Sequence, residues 1–237
     1  GFVHEDSVMS NGTYMDNAYN NVVSDVWAMG MIGWQDTDGD GKADRSTIFA
    51  PDFNGTLDGL AAGVMATDGD VYFTCIPNLW RLRDTNNDGV YDKHSVFVDN
   101  LVFPRFVTPF GPNAILTMET DQDEVWKYTD TNGDGKADKK ELFTTGLGRT
   151  GNVEHQQSFL TWTMDNWMYS TYNAVRVRWT SNGILREPTG AHGGQWGVTQ
   201  DNDGKQWVQS GASGTPAYFQ FPTVYGNINV GAQWDND

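Results

Sequence analysis

The sequence predicts an all-β protein of short strands and tight turns, and three observations support this prediction. The 237 residues include 27 Gly and 13% aromatic side chains, a composition that suits strands separated by turns. Three loops rich in Asp and Gly lie between segments in which polar and apolar residues alternate. The segment before each loop also recurs along the chain, at intervals of 46 to 49 residues. Together these features indicate a repeat of antiparallel sheets.

The three loops share one spacing of oxygen-bearing side chains. Loop 1 begins at residue 36, loop 2 at 84 and loop 3 at 130, and each has Gly at position 6, where a sharp bend is needed. The spacing predicts metal ligands at positions 1, 3, 5 and 9 through side chains, and at position 7 through the main-chain carbonyl. These positions are Asp36, Asp38, Asp40, Lys42 and Asp44 in loop 1; Asp84, Asn86, Asp88, Val90 and Asp92 in loop 2; and Asp130, Asn132, Asp134, Lys136 and Asp138 in loop 3.

The donor set predicts calcium, with up to three ions. Oxygen ligands favour Ca²⁺ over zinc or copper, and magnesium rarely gives up its water for such a loop. A turn that holds no ion is the alternative for any single copy. Three copies in register favour the ion, because clustered carboxylates would otherwise repel one another.

The flanking residues argue against an EF-hand. An EF-hand has Glu at position 12 and a helix on each side, whereas position 12 is Thr47, Ser95 and Glu141 in the three copies. The flanks alternate with the period of a β-strand, as in residues 125–129 and 141–145. We therefore expect each loop at the tip of a β-hairpin, with the Asp at position 9 closing the site.

The repeat predicts a β-propeller with four-stranded blades. The strand before each loop starts at Ile32, Trp80 and Trp126, and a fourth copy at Val175 is followed by a plain turn. Upstream in each unit, a turn leads into an aromatic strand, as at Asp70. A period of 40–50 residues with about four strands per unit is typical of propellers, whereas a β-sandwich would not repeat so regularly.

The length sets the number of blades. Residues 31–237 suffice for about five blades, and residues 1–30 fit no blade and are expected to form an irregular arm. Three alternatives follow: the chain is a piece of a six-bladed ring, the ring closes small, or protein partners or other copies complete it.

Composition limits the partners and the compartment. A net charge of −16 argues against nucleic acid or an anionic membrane surface. No apolar run is long enough to span a bilayer. Calcium loops of extracellular modules need high calcium, which favours a periplasmic, secreted or cell-surface location. No signal peptide is visible at Gly1, so we expect a processed or trimmed exported chain.

Candidate catalytic residues lie in the loops that enter the first strand of each blade. The longest such insert, 147–157, carries His155 as a candidate general base, with Glu154 to tune it and Arg149 to hold an anionic cofactor. A hydrogen-bonded structural histidine is the alternative. His192 occupies the comparable entry to the next blade, and Arg105 is a further candidate for the central channel.

Several blocks resemble a known family. Residues 103–106 (FPRF), 123–135 (DEVWKYTDTNGDG), 151–157 (GNVEHQQ), 167–174 (WMYSTYNA) and 195–201 (QWGVTQD) look like the propeller of exported proteins described as membrane-bound dehydrogenases, many of which carry a haem-c domain. The resemblance spans roughly residues 30–230. More remotely, the chain is similar to soluble pyrroloquinoline-quinone (PQQ) sugar dehydrogenases, which are six-bladed and calcium-dependent. That resemblance implies His155 as the base, with Gln156 beside it at the cofactor site. No Cys-x-x-Cys-His motif is present, so covalent haem is not expected in this chain.

Two functions follow from the sequence. The first is a calcium-stabilised module for binding or assembly, whose partners would be a glycan, a small polyol or neighbouring proteins. The alternative is a PQQ-dependent sugar or alcohol dehydrogenase, in which His155 takes the hydroxyl proton and hydride passes to the quinone.

Overall fold

The computed structural model describes residues 31–35, 37–53, 61–67, 69–157, 160–189, 198–201, 203–210, 215–218, 223–225 and 228–230. These residues form nineteen β-strands and a single 3₁₀ turn, η1 (Val153–His155), with no α-helix among them. No helix in this part of the chain is long and apolar enough to cross a membrane. The expected arm at 1–30 lies outside the described residues.

The strands form successive antiparallel sheets in chain order. Three sheets have four strands, and they carry the full repeat. They are β3 (Ala61–Thr67), β4 (Asp70–Cys75), β5 (Asn78–Arg83) and β6 (Lys93–Val98); β7 (Thr108–Pro109), β8 (Ala114–Thr117), β9 (Val125–Thr129) and β10 (Lys139–Thr144); and β11 (Leu160–Trp162), β12 (Met168–Ser170), β13 (Val175–Thr180) and β14 (Gly183–Pro188).

The remaining strands form smaller sheets. They are β1 (Met31–Gln35) and β2 (Arg45–Ala50); β15 (Val198–Gln200), β16 (Gln206–Ser210) and β17 (Thr215–Tyr218); and β18 (Thr223–Tyr225) and β19 (Ile228–Val230). The prediction of an all-β fold with four-stranded sheets is confirmed. The five-blade count concerns the whole chain and stays a prediction.

The chain divides into two compact units. The first contains residues 1–114 and 128–139, and the second contains 115–127 and 140–237. In the first unit, a core of Phe49, Ala50, Val71, Phe73, Cys75 and Leu82 lies between the β1–β2 hairpin and the β3–β6 sheet. In the second unit, Trp167 and Tyr169 pack with Val198 and Val208 from the next sheet. Each of these two cores therefore joins two consecutive sheets.

Second strands of the sheets are the most buried, as their aromatic and aliphatic residues predict. Every residue of β4 and of β8 is buried. Outer strands are polar, and β14 has no buried residue. This gradient orients each four-stranded sheet with its outer edge toward solvent.

The three loops rich in Asp and Gly lie where the sequence predicts. Loop 2 joins β5 to β6 and loop 3 joins β9 to β10, which are the third and fourth strands of their sheets. Loop 1 joins β1 to β2. In the fourth copy, β13 and β14 meet in a short turn after Thr180. The hairpin prediction is confirmed, and strands rather than EF-hand helices flank the loops.

Candidate metal centre

The aspartate at position 1 organises loops 2 and 3 from inside. In loop 2, Asp84 Oδ1 accepts a hydrogen bond from the main-chain nitrogen of Asn87 at 2.7 Å, and Oδ2 accepts one from Gly89 at 2.8 Å. In loop 3, Asp130 accepts the corresponding bonds from Gly133 at 2.6 Å and Gly135 at 2.8 Å. The chain therefore wraps around the carboxylate and keeps it facing the loop interior.

Positions 3 and 5 continue the same ladder of hydrogen bonds. Asn86 Oδ1 accepts from the nitrogen of Asp88 at 2.9 Å, and Asn132 does so from Asp134 at 2.9 Å. Position 5 accepts from the nitrogen at position 7 in all three loops, at 2.8 Å in loops 1 and 2 and 2.9 Å in loop 3. One side-chain oxygen at each position is thus held within its loop.

The aspartate at position 9 clasps the threonine at position 2, a pairing that the sequence analysis missed. In loop 3, Asp138 accepts from Thr131 through Oγ1 at 2.8 Å and the main-chain nitrogen at 3.1 Å. The hydrogen bonds from the Thr131 side chain and main chain lower the pKa of Asp138. Thr85–Asp92 and Thr37–Asp44 repeat the clasp, each with an Oγ1 contact of 2.6 Å. The Thr that follows the first Asp of every loop is the sequence signal from which this pairing could have been predicted.

The residues present fit a calcium ion by the chemistry of their donors. Within the described residues, no three His, Cys, Asp or Glu side chains converge as a metal-binding group. A calcium loop draws on a wider set, because Asn amides and main-chain carbonyls also bind the ion. In loop 2, Asp84, Asn86 and Asp88 offer oxygens of this kind, and Asp36 of loop 1 lies outside the described residues.

Position 12 provides the contact between one repeat and the next. Thr47 donates from Oγ1 to the carbonyl oxygen of Gly89 in loop 2, at 3.0 Å. Ser95 donates in the same way to Gly135 in loop 3. The position that carries the bidentate Glu of an EF-hand therefore carries a hydroxyl that anchors the following loop.

A second bond completes the attachment of each loop to the preceding outer strand. The main-chain nitrogen of Tyr91 donates to Phe49 at 3.0 Å, and that of Ala137 donates to Phe97 at 2.9 Å. The Tyr91 ring also reaches the core, with its centroid 6.2 Å from that of Phe49. Loops 2 and 3 are thus built into the junctions between sheets.

A partly buried ion-pair cluster lies beside these loops, and the sequence analysis did not foresee it. Asp70, at the start of β4, binds Arg81 at 2.8 Å and Arg83 at 2.7 Å, and Arg81 also reaches Asp130 of loop 3 at 3.4 Å. Burial alone would raise the pKa of Asp70, but the hydrogen bonds from Arg81 and Arg83 outweigh it and lower the pKa.

The same cluster recurs in the fourth copy. Asp165 accepts from Arg176 at 3.1 Å and from Tyr169 at 2.7 Å, and the Arg178 guanidinium bonds the carbonyl of Asp165. Both guanidinium groups lie 4.3 Å from the ring centre of Trp167. The spacing Asp, +11 Arg, +13 Arg is common to both clusters and was the sequence signal that could have found them.

The insert at 147–157 holds the candidate catalytic residues. His155 is exposed at the end of η1, and Arg149 lies 4.4 Å from the ring centre of Tyr172. Gln156 is fully buried; its Oε1 accepts from the main-chain nitrogen of Asp121 and its Nε2 donates to the Asp121 carboxylate. The Gln156 amide therefore anchors the insert to the loop between β8 and β9.

The other predicted residues are only partly described. Arg105 lies in the segment that connects β6 to β7, and it is half-buried. Glu154 belongs to η1 but its side chain is outside the described part, and His192 falls in the undescribed residues 190–197. The roles predicted for these residues stay predictions.

Comparison with solved structures shows that the fold is of the β-propeller type. A protein from Bacteroides uniformis assigned as a 6-phosphogluconolactonase matches with a TM-score of 0.52 at 13% identity, over 86% of this chain and 64% of its own. A chain of a nidogen/laminin complex matches with a TM-score of 0.56 at 12% identity, over 83% of this chain and 79% of its own. A streptogramin B lyase matches with a TM-score of 0.48 at 19% identity, over 76% of this chain and 59% of its own.

The chain belongs to the family described as Domain of unknown function (DUF7133), whose model matches residues 76–232. No curated protein sequence matches it significantly. The chain spans less than two thirds of the length of the Bacteroides protein and of the lyase.

Proposed function

We propose that this chain is a calcium-stabilised β-propeller module of an exported protein, and that it serves in binding or assembly. The observation that carries the proposal is the junction made by loops 2 and 3. Each loop directs side-chain oxygens inward, and each is hydrogen-bonded to the preceding outer strand through Gly89 or Gly135. Calcium in such a loop would fix a junction between sheets, which is a structural role.

The metal assignment implies an exported location. Loops of this kind in extracellular modules bind calcium at high micromolar to millimolar concentrations. Position 3 is an amide in loops 2 and 3, namely Asn86 and Asn132. Each amide reduces the negative charge of its site by one compared with an aspartate. Partners of the module would be glycans, polyols or proteins, and the latter include further copies that complete a ring.

The proposal is tested by thermal unfolding with and without calcium. We expect chelation to lower the Tm by more than about ten degrees and calcium to restore it, since an ion that binds only the folded state stabilises it. Asp134→Asn removes a proposed ligand and should shrink the calcium response. Asp99→Asn, at an exposed aspartate outside the loops, is the control. An unchanged melt after chelation would refute the metal assignment.

Assembly is tested by the native mass of the particle in calcium. A mass of several chains would support completion of the ring by other copies. A single-chain mass would leave the binding role and exclude self-assembly.

A second candidate function, oxidation of a sugar or alcohol with PQQ, is favoured by the exposed imidazole of His155. The base would take the hydroxyl proton there, and Arg149 lies in the same insert. Reconstitution with PQQ and calcium should then give dye-linked sugar oxidation that is lost in His155→Ala. No bound PQQ at high concentration would rule this function out.

A further inference from the structure

An open cleft lies between loops 2 and 3 in the first compact unit. Its volume is about 500 Å³, which falls within the range of sites for small molecules. Arg81 and Arg83 of β5 line one side, and residues 93–95 of β6 line another. Residues 133–135 of loop 3 form the third wall.

The repeat explains why the cleft is open at this junction. At the preceding junction, Arg45 holds position 10 of the repeat, and its guanidinium donates to the carbonyl of Asp88 in loop 2 at 3.3 Å. The corresponding residue beside loop 3 is Lys93. Lys93 makes no ion pair or side-chain hydrogen bond with any residue that the structure describes. Its shorter side chain and single ammonium leave a charged group facing the cleft.

The formal charges of the side chains that line the cleft are balanced. Three acidic groups (Asp70, Asp92 and Asp134) face three basic groups (Arg81, Arg83 and Lys93), and His94 adds an imidazole. Asp70 is engaged by both arginines. Calcium in loops 2 and 3 would hold Asp92 and Asp134 in place, and Lys93 and the partly exposed Arg83 are the basic groups placed to meet an anion.

We propose that this cleft binds an acidic saccharide, with the carboxylate of the sugar at Lys93 and Arg83. Hydroxyl groups of the same ligand donate to Asp92 and Asp134, which also line the cleft. A molecule that carries one carboxylate among several hydroxyls satisfies both kinds of group. The inference rests on the proposed binding function and names its ligand class.

Isothermal titration with trimers of galacturonate and glucuronate tests the proposal, with a neutral galactose trimer for comparison. We expect both acidic trimers to bind in calcium, with weaker binding after chelation and none for the neutral trimer. Lys93→Gln should weaken binding about tenfold, the typical cost of one charge-assisted hydrogen bond. Lys139→Gln is the matched control, because Lys139 holds the same repeat position on β10 and does not line the cleft.

The outcomes separate this inference from the proposed function. Absence of binding by both acidic trimers, or equal binding by Lys93→Gln and wild type, overturns the acidic-saccharide site. If the Tm still depends on calcium in that case, the proposed calcium-stabilised module is supported although the saccharide site is not. Binding that depends on Lys93 but not on calcium supports the site and refutes the metal's part in it.

Discussion

Thr47 donates a hydrogen bond from its side-chain hydroxyl to the main-chain oxygen of Gly89, which lies 42 residues further along the chain. The bond joins the outer strand of one sheet to the loop that closes the next. Because Ser95 and Gly135 repeat it, the junction is a property of the repeat and gives rise to specific expectations.

Thr47→Val should lower the free energy of unfolding by about 1–2 kcal/mol. The side chain keeps its shape, but the buried carbonyl of Gly89 loses its donor. Urea unfolding in calcium measures the effect. Ser46→Ala, at an exposed neighbour on the same strand, should change stability by less than about 0.5 kcal/mol. Equal stability of the two variants would show that the bond contributes nothing.

Gly135→Ala should destabilise the protein more than Gly133→Ala does. Both glycines have left-handed backbones, with φ of 88° and 80°, so each alanine costs about 1–2 kcal/mol. A Cβ at Gly135 would also lie 2.9 Å from the Ser95 hydroxyl, whereas one at Gly133 meets nothing within 4 Å. Adding Ser95→Ala to Gly135→Ala should recover part of the difference. If the two single variants unfold alike, close packing at this junction is refuted.

Asp70→Asn should cost about 3 kcal/mol at neutral pH, because it leaves the partly buried Arg81 without its main carboxylate. The pKa of Asp70 in the folded protein lies below its usual value of 3.8. Its contribution to stability is therefore present above pH 3.8 and is lost as pH falls through the lower, folded-state pKa. The difference in the free energy of unfolding between the wild type and Asp70→Asn should therefore become smaller in that acidic range. Unfolding curves at several pH values measure it, and a gap that does not change with pH would contradict the assignment.

The phenol of Tyr169 should ionise at a higher pH than that of an ordinary tyrosine. Burial and the hydrogen bond to Asp165 raise its pKa to about 12 from the usual 10.0. This contribution to stability is complete below pH 10 and is lost as pH rises through 12. Titration of phenolate absorbance should show several groups that ionise above pH 10, since the pKa of Tyr91 is also about 12 and burial raises that of Tyr72. Tyr169→Phe should remove one of these groups and Tyr91→Phe another; titration of Tyr169 near 10 would contradict the assignment.

Period and spacing made the architecture predictable. The alternation around the loops predicted the hairpins, and the aromatic strands predicted the buried second strands such as β4. These features depend on local sequence, because a pleated strand exposes alternate residues to opposite faces.

The contacts between repeats were not predictable in the same way. Thr47 and Ser95 look like ordinary strand residues, and only the packing of the following loop gives their hydroxyls a partner. Asp70 and Arg81 are 11 residues apart on neighbouring strands, so their pairing depends on the register of β4 and β5. The hydrogen bond between Thr and Asp could have been predicted more readily, since the two residues recur at positions 2 and 9 in all three loops.

The series of loops ends after the third copy, and a different chemistry takes over. Arg186 of β14 bonds the hydroxyl of Thr144 at 3.2 Å and the carbonyls of Thr145 and Gly146, at the end of the preceding outer strand. A guanidinium is a permanent cation that no chelator can extract. If calcium fills loops 2 and 3 as proposed, the junction at Arg186 should stay rigid in calcium-poor surroundings while the junctions at those loops loosen, so that the ambient ion level would grade rigidity along the chain.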